Sequence, residues 1–525
     1  MPDRDENFDL ATEYFEMLGN HTFDDGQTVR ESLELNGDVS IWDILATYLI
    51  IYRFPLLFNK ECNGIKGLLL SYFRLVKGVM GCAIDSVITL VSYNEARNRE
   101  LLLELTKQDS RGVLFLGFKD VYFRDILSTI QTELNKNDNI HTFTLNQKKS
   151  HTATSDNEYS ISKILTKEDM EFVRVLLQEN NKLKKKLLNK KFINEVSNFK
   201  KIKINKNILK SEIAWILYRE IPRLAPFIAL ANRIIDKNPP SLLVTADDAD
   251  QKCRVFTLHA RNKNIDSLVV QQGFTRKDYP EWVHFSGSKV ACMGAHSKEI
   301  IHSQGVSENK ITLTGCIEMD RFSFKKIKRY KLFASQYSNK RPKILFASQP
   351  YVFGAFTSKD ARLKCISDVF SGLNKITDIS DVLIKPHPND DMRELKKNHN
   401  IYRNFIFCKK DESIADLIEE CDIFVTMFST SALQSMCAGK PVIIADIGNA
   451  VSYSEYSNTE SVWTTNTANE FIITLNSMIT SNISDCDLLK KNKAREEFIS
   501  KRCYAADGKS AYRVSELVLS ILKPN

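Results

Sequence analysis

Short apolar runs separated by longer amphipathic stretches dominate the chain from residue 113 onward, a rhythm that predicts strands alternating with helices. The run VLFLGF at 113–118 lacks polar alternation, as a strand buried on both faces does, and residues 121–134 after it carry helical spacing. A second strand is expected at 140–145, a loop at 147–160, and then a long lysine-rich helical region. Residues 213–235 read as a helix that ends before Pro239-Pro240, followed by strands at 241–245 (SLLVT), 268–270 (LVV) and 311–315 (ITLTG). Alternation of this kind builds a parallel sheet covered by helices, so 109–322 reads as one Rossmann-like unit.

Residues 344–525 repeat the architecture without repeating the sequence. Strands are expected at 344–347, 382–385, 405–408, 423–426, 441–445 and 461–464, with helices at 358–376, 414–420 and 431–438. Between the units, 323–343 is polar, basic and free of apolar periodicity, as an inter-domain connection is. Residues 1–108 show no strand alternation and read as a helical extension. Two of its stretches, 41–58 and 65–80, are strongly apolar but interrupted by Asp43, Arg53, Pro55, Lys66, Arg74 and Lys77. Neither offers the roughly 20 uninterrupted apolar residues of a bilayer span, so they either pack on the first unit or lie at a membrane interface.

Composition narrows the class. At 525 residues the chain exceeds one core, and 43% hydrophobic with 26% charged residues describes a soluble globular protein. Its 11 cysteines form neither a CxxC pair nor a metal-spaced cluster, which fits a reducing compartment. The acidic start MPDRDENFDL lacks a secretory signal, so a cytoplasmic location is expected. The net charge of +8 is unevenly placed, with 11 lysines against the single acid Glu195 over 182–210. That run is either a solvated face or a contact for an anionic membrane surface; nucleic acid is not expected, since no aromatic residues interleave as a stacking platform.

The chemistry concentrates in two places, DVLIKPHPND at 381–390 and DIFVTMFSTSALQSMCAGKPVII at 422–444. In each an apolar strand runs into a polar turn, the arrangement by which open α/β sheets hold phosphates. Lys385 and His387 can donate to an anion, Pro386 and Pro388 stiffen the turn, and Ser429, Thr430 and Ser431 supply hydroxyls at a helix start. A hydrogen-bonded turn histidine and ordinary serine caps would leave the same trace in sequence.

Two Rossmann-like units in tandem with these motifs resemble GT-B glycosyltransferases. The resemblance is to the bacterial capsule and surface-polysaccharide group of polysialyltransferases, Kdo transferases and CDP-glycerol glycerophosphotransferases. It extends over residues 240–515 and includes LLVTADDAD at 242–250, SLVVQQGF at 267–274, KITLTGCIEMDRF at 310–322 and DGKSAYRVSELV at 507–518. It implies two domains facing across a cleft, with the nucleotide sugar on the C-terminal one. His387, assisted by Lys385 and Pro388, is implied as donor-phosphate ligand, and Ser429, Thr430 and Ser431 as the motif that holds a CMP phosphate. Asp247 or Asp248 is implied as the carboxylate base of an inverting, metal-independent transfer, with helix capping as the other reading of these acids and Asp250 the better cap. Two departures stand out: Ala249 replaces the glycine that follows the acidic pair, and Gln272 precedes Gly273 where the glycerophosphate relatives carry a histidine. Glutamine is no base, so Gln272 and Gly273 are expected to position substrate, and sugar transfer is favoured over glycerophosphate transfer.

The activity so implied is transfer of a sugar, first a CMP-activated sialic or Kdo-type acidic sugar, to a hydroxyl of a cell-surface glycan or glycolipid, with no cofactor beyond the donor. A CDP-glycerol-type glycerophosphotransferase, a UDP-sugar 2-epimerase and a non-catalytic glycan-binding scaffold are the alternatives. Peripheral membrane contact would run through the N-terminal helices or Lys182–Lys210.

Overall fold

The computed structural model describes residues 4–35, 39–58, 69, 72–73, 75–81, 111–118, 121–137, 139–146, 158–322, 341–351, 355–395, 404–452 and 454–523. The chain divides into two compact units, Met1–Cys292 with Ser297–Thr314 and Ala511–Asn525, and Met293–His296 with Gly315–Ser510.

The first unit is built on a seven-stranded sheet of β1 (Arg111–Gly117), β2 (Ile140–Asn146), β3 (Glu158–Ser160), β4 (Leu242–Thr245), β5 (Ser267–Val270), β6 (Lys289–Cys292) and β7 (Ile311–Leu313). Their spatial order is β7-β6-β5-β4-β1-β2-β3, and every adjacent pair is parallel. The apolar runs explain it: all four residues of β4 and of β5 are buried, as strands covered by helices on both faces must be. Chain order reverses between β1 and β4, which makes the carboxyl ends of those strands the place where a ligand crevice opens.

Helices α1 (Arg4–Gly19) and α2 (Ile41–Tyr48) are part of this unit rather than an appendage. Tyr14, Phe15, Trp42 and Leu45 belong to one apolar cluster with Leu114 and Leu116 of β1, and Phe15 stacks on Trp42 with centroids 4.8 Å apart. The lysine-rich stretch is not one helix. After α3 (Val121–Leu134) come α4 (Lys167–Leu187), a short helix Lys190–Val196 and a hairpin whose turn residues Lys200 and Lys201 take positive φ of 46° and 67°. Then α5 (Lys206–Trp215) runs through a π-helical turn, Ile216–Glu220, into α6 (Ile221–Lys237), and α7 (Gln251–Asn262) follows β4.

The second unit is a six-stranded sheet of β8 (Lys343–Ala347), β9 (Asp381–Lys385), β10 (Phe405–Phe407), β11 (Ile423–Thr426), β12 (Val442–Ala445) and β13 (Trp463–Thr465). Its order is β10-β9-β8-β11-β12-β13, again all parallel, with the reversal between β8 and β11. Its covering helices include α8 (Lys359–Asn374), α9 (Ser431–Cys437), α10 (Ala468–Ile479) and α11 (Asp485–Arg502). Two Rossmann-like units in tandem are the GT-B architecture.

Three sequence expectations meet the structure differently. Residues 158–160, expected as loop, form the edge strand β3, and β6 at 289–292 has no counterpart among the strands expected from sequence. The last helix, α12 (Ser510–Leu522), packs with the first unit almost entirely, Arg513 Nε donating to the Thr314 carbonyl at 2.6 Å. Most of the expected connection 323–343 lies outside the described residues, as do 65–68, 70, 71 and 74 of the helix expected at 65–80, whose remaining residues are helical.

Candidate functional site

In the second unit the switch point is bounded by the turns after β8, β9 and β11, of which the last two carry the motifs read from sequence. The turn after β9 is held from inside. Asp390 Oδ2 accepts the His387 backbone N–H at 2.9 Å and the Ser348 hydroxyl. Asp390 Oδ1 accepts from Arg362 Nη2 at 2.8 Å. Arg362, 1% exposed, also donates to the Gln349 carbonyl at 2.6 Å and to Glu394 at 2.8 Å. A buried carboxylate is tolerable only when paired and hydrogen-bonded, and Asp390 is both.

This scaffold sorts the expected ligands. The Lys385 ammonium donates to the carbonyls of Pro386 (3.4 Å), Lys409 (3.1 Å) and Lys410 (2.7 Å), so its three protons pin the chain rather than face solvent. Burial holds its pKa below the ordinary lysine value. Pro388 is exposed, with its carbonyl accepting from Lys410 Nζ at 2.9 Å. His387 is half-buried, and its Nδ1 accepts the Asn389 N–H at 3.1 Å. In the neutral ring that places the proton on Nε2, as a donor.

The turn after β11 presents half-buried hydroxyls. Ser429 Oγ accepts from Ser431 Oγ at 2.7 Å and from the Ser431 backbone N–H at 3.2 Å. Thr430 occupies the N-cap of α9, yet its side chain makes no capping bond. The turn is fixed from below by Tyr456, whose hydroxyl donates to the Ser429 carbonyl at 2.9 Å. From the side, Gln349 Oε1 accepts the Phe428 N–H at 2.8 Å. Phe428 meets Phe356 edge-on at 5.0 Å, and Tyr351, 39% exposed, stacks on Phe356 at 6.3 Å, so an apolar wall adjoins the hydroxyls.

At the switch point of the first unit, the structure separates two acids that the sequence leaves equivalent. Asp248 is turned inward and 5% exposed. Its carboxylate receives Arg254 at 3.3 Å, the Ser286 N–H at 2.9 Å and the Ser286 hydroxyl. Burial pushes its pKa up, opposed by Arg254 and by the two Ser286 donors. Arg254 donates onward to the carbonyls of His284 (2.6 Å) and Asp43 (3.0 Å), tying the acidic turn to α2. Asp247 is half-buried; its Oδ1 accepts the N–H groups of Ala249 at 2.8 Å and Asp250 at 3.2 Å. Asp250 is the N-cap of α7, accepting the Lys252 N–H at 2.8 Å.

Around this turn lies a polar network that sequence reading missed. Buried Glu220 accepts from Arg219 at 2.6 Å, Arg223 at 2.7 Å and Trp215 Nε1 at 2.8 Å, and Gln251 joins it at 3.4 Å. Two loop residues complete the picture after β5. Gly273 takes φ +67°, a conformation that glycine adopts without strain, and Gln272 is half-buried beside it, donating to the Val270 carbonyl at 3.4 Å. Gln271, not singled out from sequence, is the organiser of that loop: its Nε2 bonds the Gly273 carbonyl, Thr275 and Ser297 at 3.1, 3.1 and 2.9 Å.

No protein-family model matches the sequence, and no characterised protein matches it by sequence either. Among solved structures, the chain is similar to the UDP-GlcNAc 2-epimerase of Neisseria meningitidis bound to UDP-GlcNAc (12% identity, TM-score 0.45, 78% of this chain and 99% of that one). It is similar also to the UDP-GlcNAc 2-epimerase of Methanocaldococcus jannaschii in complex with UDP-GlcNAc and UDP (15%, 0.46, 78% and 99%). A third is the lipopolysaccharide outer core galactosyltransferase WaaB in its apo form (12%, 0.41, 78% and 99%). At TM-scores below 0.5, the fold assignment rests on the two strand orders themselves.

Proposed function

We propose that the protein is a GT-B glycosyltransferase that takes a nucleotide sugar on its second unit and uses a carboxylate of its first unit as base. The observation that carries this reading is the repeated placement of chemistry at a switch point. In the second unit His387 Nε2–H and the Ser429, Thr430 and Ser431 hydroxyls line the turns beside the β8–β11 reversal; in the first, Asp247 follows β4 at the β1–β4 reversal. His387 and the three hydroxyls donate to the donor phosphate, where negative charge grows as the bond to the sugar breaks. The Phe428–Phe356–Tyr351 wall suits the flat face of a base.

Asp247 is assigned the proton of the acceptor hydroxyl, because it is accessible while Asp248 is committed to Arg254 and Ser286. Gln272 and Gly273 position substrate on the adjacent loop. The donor proposed first is a CMP-linked acidic sugar of the sialic or Kdo type, from the match of STS at 429–431 to the CMP-phosphate motif. The acceptor is a hydroxyl of a surface glycan or glycolipid, and the chemistry needs no metal.

The test is incubation of the chain with CMP-, CDP-, UDP- and GDP-linked sugars, following nucleotide release and sugar configuration. Release of nucleotide monophosphate from a CMP-sugar, abolished in Asp247→Asn, is the expected result. Interconversion of a UDP-sugar at C2 without net release identifies a 2-epimerase instead. Release of CMP from CDP-glycerol identifies a glycerophosphotransferase, and inertness towards every donor a scaffold.

A further inference from the structure

The described residues of 69–81 are helical and carry a run of exposed apolar side chains: Phe73 (67% exposed), Leu69 (64%), Met80 (62%) and Val76 (56%), the four most exposed large apolar residues among the described residues of the first unit, with Tyr72 (49%) beside them. At about 100° per residue these five positions fall within one arc of about 100°, and Gly78 lies about 180° from Leu69. Among the described residues of the segment, Gly78 is the buried one. A Cβ there would fall 2.6 Å from the Trp215 ring and 2.6 Å from the Arg219 side chain, so that face is pressed onto the π-helical turn. The protein therefore covers the segment at Gly78 and leaves the described large apolar side chains of the opposite arc turned to solvent.

Among the described residues of the segment the charge is basic. Lys77 is exposed on the segment itself. From α4, Lys184 Nζ sits 4.3 Å from the ring centroid of Tyr218, the neighbour of Arg219, and Lys185 is exposed in the same turn. The acids of the underlying layer are hidden and paired: Glu212 with Arg53, and Glu220 with Arg219 and Arg223. Arg53 and Arg219 both lie on the Trp215 ring, at 4.2 and 4.4 Å. No helix among the described residues is long and apolar enough to cross a membrane.

We propose that the Leu69–Phe73–Val76–Met80 stripe docks on an anionic lipid bilayer, lying in the interface with the α4 lysines against the headgroups. An apolar stripe of this width with cations at its side is the composition of an interfacial segment, buried on its apolar face and drawn in by lipid charge. The position has a consequence for the site. Arg223 stands one turn beyond Arg219, about 6 Å along the same helical run, and reaches Gln251 at the start of α7, directly after the acidic turn. A lipid-anchored acceptor is thereby delivered towards Asp247; this consequence alone rests on the transferase reading, and bilayer binding does not.

The test is flotation of the full chain, without any sugar donor, with vesicles of phosphatidylcholine alone or mixed in equal parts with phosphatidylglycerol. The chain is expected to float with the anionic vesicles. The double variant Leu69→Asp/Phe73→Asp, at exposed positions and with unchanged melting temperature, is expected to lose about tenfold or more in partitioning. Lys184→Glu/Lys185→Glu should lose the salt-sensitive part. Failure of the wild type to float, or equal flotation of the Asp double variant, overturns the proposal. So does a wild type that dimerises by light scattering without floating and turns monomeric on Leu69→Asp/Phe73→Asp, which makes the stripe a contact between copies of the chain.

Discussion

Asp390 accepts the backbone N–H of His387 at 2.9 Å, and that bond sets where the imidazole can point. A carboxylate three residues after the histidine folds the chain back on itself and fixes the turn, and its charge is balanced by Arg362 from α8 at 2.8 Å. The donor-site histidine is thus positioned by an ion pair buried beneath it. Replacing Arg362 with methionine strands Asp390 in the core and should cost about 3–5 kcal/mol in urea unfolding. Adding Asp390→Asn to that variant should recover part of the loss, because the uncompensated charge goes.

Lys385 and His387 stand two residues apart and should behave differently. Lys385→Met removes an ammonium bonded to three carbonyls, so the melting temperature falls and nucleotide affinity changes mainly through the disturbed turn. His387→Ala leaves the fold intact and removes a donor to a charged ligand, worth about 1.5–3 kcal/mol, or about ten- to a hundredfold in dissociation constant. Calorimetric unfolding and nucleotide titration of the two variants check this contrast.

The acidic turn gives a matching pair. Asp248→Asn leaves buried Arg254 without its carboxylate and should destabilise the first unit by about 3–5 kcal/mol, so loss of activity there reports folding. Asp247→Asn should retain stability and donor binding while transfer falls by about 10²–10⁴. Single-turnover transfer beside a thermal melt separates the two.

How far these roles are legible in the sequence depends on burial. Strands such as β8 and β11 declare themselves because they are apolar but for Lys343 at one end and Thr426 at the other, and the KPHP turn because its prolines rule out continuing strand. Edge strand β3, EYS, carries too few apolar residues to signal, and the KVAC of β6 has Val290 as its one strongly apolar residue. Asp247 and Asp248 are the same residue type side by side, and what separates them is Arg254 six positions on and Ser286 at a distance of 38. Arg362 and Gln349 look like surface residues in sequence; their partners Asp390 and Phe428 come from the turns after β9 and β11, and only folding brings them together.

A titration prediction follows from His284, which stacks edge-on against Phe15 at 5.2 Å with its carbonyl on Arg254. Burial, with Arg254 nearby, lowers its pKa to about 4 from an ordinary 6.5. The unfolded chain then binds the proton more readily, so the first unit loses stability as pH falls from 6.5 to 4. In His284→Gln that part of the acid dependence should vanish, whatever the variant's stability at pH 8; melting curves across pH 4–8 measure it.

The most direct measurement is a melting series of the wild type and His387→Ala with CMP, CDP, UDP and GDP. Stabilisation by a single nucleotide, CMP first, is predicted, by about 2.7 kcal/mol at a hundredfold excess over the dissociation constant, with the response strongly reduced in His387→Ala. Equal stabilisation of wild type and His387→Ala, or no response to any nucleotide, would contradict the assignment of the donor phosphate to the β9 and β11 turns.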